Sequence, residues 1–324
     1  MKAKYSGKSI GTLVVTAALV AFLVFVAWIL YLKPKIADIF FEPVFINDVK
    51  KVRLVSEMRV NLNASVEAEK SAVLADTDDA SIVYADQAQE LSATVEEARL
   101  ELEVLIEAEK MGRELDLLRE FSACWERFQQ IDQELLPLSV LNTNLKAYDL
   151  SYGSADKALK QLEQSLNSLM SSKISKDKAC EIDRLSLRAL SAALKIYALQ
   201  SPHIAESREE KMDEIETTIQ THDVLIIQSL DAMSFLLNPA DKPLIEAAKA
   251  AYAEFWMINT EVMKLSRQNS NVRSLALSLG QKRNVTIHCQ DVLAALEEAI
   301  QSKVYKATRQ QFPEELMILE SKKI

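Results

Sequence analysis

"LSVLNTNLKAYDLSYG" at residues 138–153 returns as "LSRQNSNVRSLALSLG" at residues 265–280. Leu138, Ser139, Asn142, Asn144, Leu150, Ser151 and Gly153 recur as Leu265, Ser266, Asn269, Asn271, Leu277, Ser278 and Gly280, at a constant offset of 127. Thr143 and Ser270, Leu145 and Val272, and Lys146 and Arg273 keep their chemistry. A gapless match of this length points to two copies of one unit. Internal repetition fixes the architecture before any other feature is weighed.

The repeat extends in both directions. Arg59, Ala64, Ala68, Lys70 and Leu74 recur 125 residues on as Arg184, Ala189, Ala193, Lys195 and Leu199. Glu96 and "VLI" at 104–106 recur 120 residues on, and Phe128, Ile131 and Glu134 recur 127 on as Phe255, Ile258 and Glu261. The offset changes only between helical segments, where insertions are tolerated. Within each segment the apolar residues follow helical spacing: Leu54, Met58, Leu62, Val66, Val73 and Leu74 fall near one face. Breaks are expected near 76–79, Gly112, 152–154, 171–177, 200–203, 238–243 and Gly280. The reading is four helices per copy, at 46–76, 80–111, 114–151 and 154–173, then 178–200, 203–237, 241–279 and 281–311. Such amphipathic helices bury their stripes in antiparallel bundles. Gly153 and Gly280 are expected as left-handed residues closing the third helices. Pro137, whose counterpart is Lys264, predicts a kink or break in the first copy alone.

Composition agrees with an all-α fold. The 324 residues are 49% hydrophobic but hold only 5 Gly and 7 Pro, too few for the turns of a sheet protein. The net charge is −9 and unevenly placed. Residues 1–35 carry five Lys and no acid, which leaves 33 basic against 47 acidic residues elsewhere, a net of −14. An acidic body argues against nucleic acid, which needs clustered Lys and Arg. Cys124, Cys180 and Cys289 show no metal spacing, and an odd count excludes full pairing within one chain. They read as small packing residues.

Ile10 to Leu32 contains no charge over 23 residues, about 35 Å of helix, enough to cross a bilayer. Trp28 and Tyr31 sit where an aromatic belt would, and Lys2, Lys4 and Lys8 favour the N-terminus inside. The run is long for a cleaved signal and no small-residue cleavage site follows it. The expected organisation is a cytoplasmic N-terminus (1–9), a transmembrane helix (10–32), a first helical repeat (44–175), a second (176–311) and a C-terminal tail (312–324). In a bacterium this places a single-pass protein in the inner membrane with its body in the periplasm. The two bundles are either separate or stacked as one elongated bundle.

An N-terminal anchor, Lys-rich flanks and an acidic helical body resemble the plan of bacterial chemoreceptors. "MRVNLNASVEAEKSAVLA" at 58–75 is similar to the first helix of their four-helix-bundle sensor module. The stretch from Ala123, "ACWERFQQIDQELL", onward through residue 166 resembles that module's third helix, turn and fourth helix. The doubled form resembles the helical bimodular sensor. The resemblance implies a homodimer and a small acidic or amino-acid-like ligand held by arginines of the first helix. Those are Arg59 and Arg184 at matching places, with Arg188 one turn further on. Arginine suits carboxylates through its two parallel donors, although a solvated or salt-bridged surface role fits the same residues. The sequence shows no HAMP linker or cytoplasmic coiled coil, so a signal is expected to pass through a transmembrane partner. The rival expectation is a structural scaffold that docks another envelope protein.

Asn142 and Asn144, with Asn269 and Asn271, are the most distinctive polar repeats. Residues two apart do not share a helix face, so one of each pair is expected to turn inward and fix register. Trp125 and Tyr252, and Phe128 and Phe255, read as core. No catalytic residue, cofactor site or metal site is expected. His203, His222 and His288 are scattered, and no HExxH, phosphate loop or GxSxG occurs.

Overall fold

The computed structural model describes residues 25–26, 33–172 and 176–311, and is all-helical, with no strand among the described residues. The helices are α1 (Lys33–Leu74), α2 (Asp78–Ala108), α3 (Gly112–Ser139), α4 (Thr143–Asp149) and α5 (Asp156–Met170), then α6 (Lys176–Ala205), α7 (Glu209–Leu236), α8 (Lys242–Gln268), α9 (Ser270–Leu277) and α10 (Arg283–Gln311). A π-helical segment, Leu150–Ala155, joins α4 to α5, and a second, Ser278–Lys282, joins α9 to α10. No helix among the described residues is long and apolar enough to cross a membrane. The apolar run Ile10–Leu32 lies outside them except for Phe25 and Val26, as do the 1–9 terminus and the 312–324 tail.

Three boundaries differ from the sequence expectation. Gly153 and Gly280 do not close helices; they lie inside the π segments, and neither has positive φ. Where the third helix of each repeat gives way to the fourth, the left-handed residue is Asn142 (φ 49°) in one and Asn269 (φ 53°) in the other; Lys110 (φ 53°), between α2 and α3, is left-handed as well. Asparagine takes this conformation more readily than most residues. Pro137 lies inside α3, which ends two residues later at Ser139 and gives way to a turn, whereas α8 continues to Gln268, the match of Leu141; the interruption at the matching Asn is common to both repeats. Pro202 likewise lies inside α6, which continues to Ala205.

The chain packs as two units. Among the described residues, one comprises 25–26, 33–61, 94–122 and 290–311; the other comprises 62–93, 123–172 and 176–289. α1, α2, α3 and α10 each contribute residues to both. Each unit also draws on both sequence repeats. In the first, Leu54, Met58, Leu102, Leu118, Phe121 and Leu296 are buried. Arg59 pairs there with Glu297, and Lys303 with Glu114.

In the second unit, Ala155, Ala158, Leu159, Leu162, Leu166 and Leu169 share one core with Ile182, Ala189, Ile196, Ile226, Ile245 and Phe255. The fourth helix of repeat one therefore packs with the first three helices of repeat two. The converse also holds. Leu277 and Val285 of repeat two pack on Ala68, Ala72, Ala88, Ile131 and Leu135 of repeat one. The fourth helices are exchanged between repeats.

The quoted repeat is the crossing point. Thr143 N donates to Ser270 Oγ at 3.0 Å, and Ser270 N donates to Thr143 Oγ1 at 3.1 Å. Asn144 N and Asn271 N each donate to the other's Oδ1 at 3.2 Å. Asn144 Nδ2 reaches Asn269 Oδ1, and Asn271 Nδ2 reaches Asn142 Oδ1, both at 2.9 Å. Each contact has a mate at the offset of 127, so a local two-fold relates the repeats here. The first amides of a helix have no partner within it, and here each repeat caps the other. Asn142 Nδ2 also binds Ser81 and Asp78, and Asn269 Nδ2 binds the Glu206 carbonyl, which ties each crossing to the turn after its own repeat's first helix. The asparagines thus fix register, as expected, but Asn142, Asn144 and Asn269 are all buried rather than one of each pair.

Candidate functional site

The second unit contains an open groove of about 530 Å³ between α2 and α3. α2 lines it with Gln89, Ser92 and Ala93, and α3 with Gln129, Asp132, Gln133, Leu136 and Pro137. Each set follows the three- and four-residue spacing of one helix face. Pro137 has no amide hydrogen, so the Gln133 carbonyl lacks its usual helical donor. The only charged side chain in the lining is Asp132.

Behind the groove Asp132 pairs with Lys282, which lies on the π segment leading into α10. Lys282 is 1% exposed. Its ammonium sits 3.0 Å from the centre of the Phe128 ring, a cation–π contact in a dry setting. Glu69 of α1, 1% exposed, completes the group, with the Ser278 hydroxyl of the π segment beside its carboxyl. Burial pulls the Lys282 ammonium down to about 8, against the opposing pull of Asp132 and Glu69. Burial likewise raises the carboxyls of Asp132 and Glu69; Lys282 restrains the first, and a Ser278 hydrogen bond followed by Lys282 restrains the second.

A disulfide stands beside this group. Cys124 on α3 is joined to Cys289 on α10, with Cα atoms 5.7 Å apart. The expectation of three packing cysteines is thus corrected: two are bonded, and only Cys180 is free and exposed. Their matched positions in the other repeat are Ala251 and Leu162, both in the apolar core. The same asymmetry holds for the charges. Asp132 matches Asn259, whose amide oxygen accepts from Gln200 Nε2 at 2.9 Å, while Ser151 donates to the Gln200 carbonyl oxygen at 2.7 Å. Lys282 matches Ala155, and Glu69 matches Leu194. One half of the pseudo-symmetric fold holds a neutral hydrogen-bond chain where the other holds buried charge. Sequence reasoning missed this group; a comparison of the two repeats for positions where their chemistry differs would have found it.

The arginines singled out by sequence lie elsewhere. Arg59 belongs to the first unit and pairs with Glu297. Arg184 is exposed and pairs with Glu181, one turn back on its own helix, and Arg188 is also exposed. None of the three lines the groove. Trp125, Phe128, Tyr252 and Phe255 are core residues, as expected.

Two other places were candidates for chemistry. Ser266 Oγ lies 2.7 Å from His203 Nδ1, and His203 Nε2 lies 3.0 Å from Glu216 Oε1, an order resembling nucleophile, base and acid. Both Ser266 and His203 are fully buried, and Ser266 also donates to the His203 carbonyl at 3.0 Å. Burial holds the imidazole below its usual pKa. The cluster fastens the end of α6 to α7 and α8 and offers a substrate no access. A second cavity of about 430 Å³ adjoins the crossing, lined largely by apolar residues such as Val73, Leu145, Ile204 and Val272. No group of His, Cys, Asp and Glu suited to a metal occurs among the described residues. No protein-family model matches the chain, and no curated protein matches it.

Proposed function

We propose that the chain is a membrane-anchored sensory protein whose helical body binds a small molecule in the α2–α3 groove and passes the event on through helix packing. The observation that carries this reading is a buried, asymmetric charge group at the floor of an open groove in an otherwise pseudo-symmetric fold. A buried ion pair is a weak device for stability. Here it links a surface that a ligand can reach to a π-helical turn of α10, and such turns are frequent at functional sites. Occupancy that draws on Asp132 changes the hold on Lys282, and so the packing of α10 against α3. Small shifts between two packed states are a known mode of switching.

The anchor rests on the uncharged run from Ile10 to Leu32 and its lysine flank. A periplasmic body is supported by the Cys124–Cys289 disulfide, since such bonds persist in oxidising compartments. The likeness to chemoreceptor sensor modules adds a homodimer and a transmembrane partner to the proposal. The acidic ligand held by Arg59, Arg184 and Arg188 is not carried forward, because those side chains line neither cavity. The alternative, a docking scaffold, draws on Leu187 and Leu194 of α6 and Val224 and Ile227 of α7, all exposed on adjacent helices.

A thermal-shift screen of the full chain against amino acids, organic acids, sugars and amines tests the reading. A compound at 100 times its dissociation constant stabilises by about 2.7 kcal/mol, a rise of roughly 2–8 °C. The expected result is a reproducible rise that Gln129→Ala and Gln133→Ala reduce. A flat screen on a cooperatively melting protein would move the reading to the scaffold.

A further inference from the structure

We infer that the α2–α3 groove is selective for small organic amines, cationic and without a carboxylate. The inference rests on the groove being a ligand site and names the chemistry it would accept.

The case is electrostatic and steric. Asp132 brings the only charge to the lining, and no Lys or Arg lies there. Of the Asp132–Lys282 pair, the acid keeps the accessible edge: its side chain is 11% exposed, against 1% for the lysine. An incoming molecule therefore meets the carboxylate first, while the ammonium stays behind it, held over Phe128. Gln89, Gln129 and Gln133 line the groove with side-chain amides whose oxygens can accept from an ammonium. An ammonium carries donors only, so this set suits it.

The surroundings carry the same sign. From Asp78 to Ala93, α2 has four acids, Asp78, Asp79, Asp86 and Glu90, and no base; Asp78 is paired with Lys146 of α4. On α3, Glu134 follows Asp132 two residues later, with Arg273 3.8 Å from it. The nearest cation on α3, Arg127, is engaged with Gln130 and Gln281. A cleft lined by one sign of charge raises the local concentration of the opposite ion. A carboxylate ligand would meet Asp132 with no cation on its own side. A bound ammonium would share Asp132 with Lys282, which loosens the tie to the π segment.

Isothermal titration of the full chain with putrescine, in parallel with succinate and glucose, tests the inference. Putrescine should bind saturably, and more weakly as salt is raised. Asp132→Asn should abolish the binding. Because that change also strands Lys282, Gln133→Lys is the second variant: Gln133 is exposed, so the fold is retained. The added ammonium should weaken putrescine by at least about tenfold. Succinate or glucose binding in the groove, lost on substitution of Gln129, with no putrescine binding, would overturn the amine selectivity and leave the ligand site standing. Undiminished putrescine binding by Gln133→Lys would overturn the assignment to this groove. No binding by any of the three, together with a flat thermal screen, would overturn both.

Discussion

Lys282→Met is expected to cost about 3–5 kcal/mol of folding stability, the usual penalty for stranding one member of a buried pair. The lysine is 1% exposed and is the counter-ion of Asp132, with Glu69 close enough to shift it. Methionine fills much of the same space, so the loss is chiefly electrostatic rather than a cavity. Two buried carboxyls then remain without a cation. Burial already raises both, so protonation relieves them and the deficit shrinks as the pH is lowered toward the carboxyl range. Urea titrations at neutral and mildly acidic pH would show this. The double variant Lys282→Met with Asp132→Leu should recover much of the loss, since replacing a whole buried pair by apolar groups is often neutral. A Lys282→Met protein as stable as the parent would mean that the pair is solvated in solution.

Loss of the Cys124–Cys289 bond is expected to cost about 2–5 kcal/mol. The bond joins residues 165 apart in sequence, so it removes a great deal of freedom from the unfolded chain. It also clamps α3 to α10 about two turns from Asp132 and Lys282 respectively. Cys289→Ser should lower the urea midpoint accordingly. A thiol count under denaturing conditions gives the simplest check: one reactive thiol per unreduced chain, that of Cys180, and three after reduction. Three thiols before reduction would remove the bond and, with it, part of the support for an oxidising compartment.

Much of the architecture was legible in the sequence because a repeat is a pattern of identities, independent of packing. The gapless offset located the crossing and gave four helical stretches per copy. The junction of the third and fourth helices was misplaced because glycine is the usual left-handed residue at a helix end, and Gly153 and Gly280 drew the boundary to themselves. Asn142 and Asn269 hold that role, with helical φ kept through the π segments. The exchange of fourth helices could not be read at all. The apolar stripe of α5 has the same period whichever repeat covers it.

The candidate site was hidden for a related reason. A lysine in a polar stretch such as "SLGQKRN" reads as solvated, and only the tertiary position of α10 beside Phe128 makes Lys282 an interior charge. Cys124 and Cys289, 165 residues apart, carry no spacing signal. The arginines were chosen from the resemblance to sensor modules, Arg59 and Arg184 also for their matching places, and a matching place marks what the two halves share. The groove lies where they differ, at Asp132 against Asn259 and Lys282 against Ala155.

The central claim is that occupancy of the α2–α3 groove is felt by the π segment of α10 through Asp132 and Lys282. Amide hydrogen exchange tests it most directly, measured on the full chain with and without the compound that raises its melting temperature most. The expected result is a change in exchange at Ser278–Lys282 as well as along the groove faces of α2 and α3, with the former absent in Lys282→Met. Protection confined to α2 and α3, with residues 278–282 unchanged, would show a binding site without the proposed linkage. A change only in the first unit would place the site elsewhere and contradict the account.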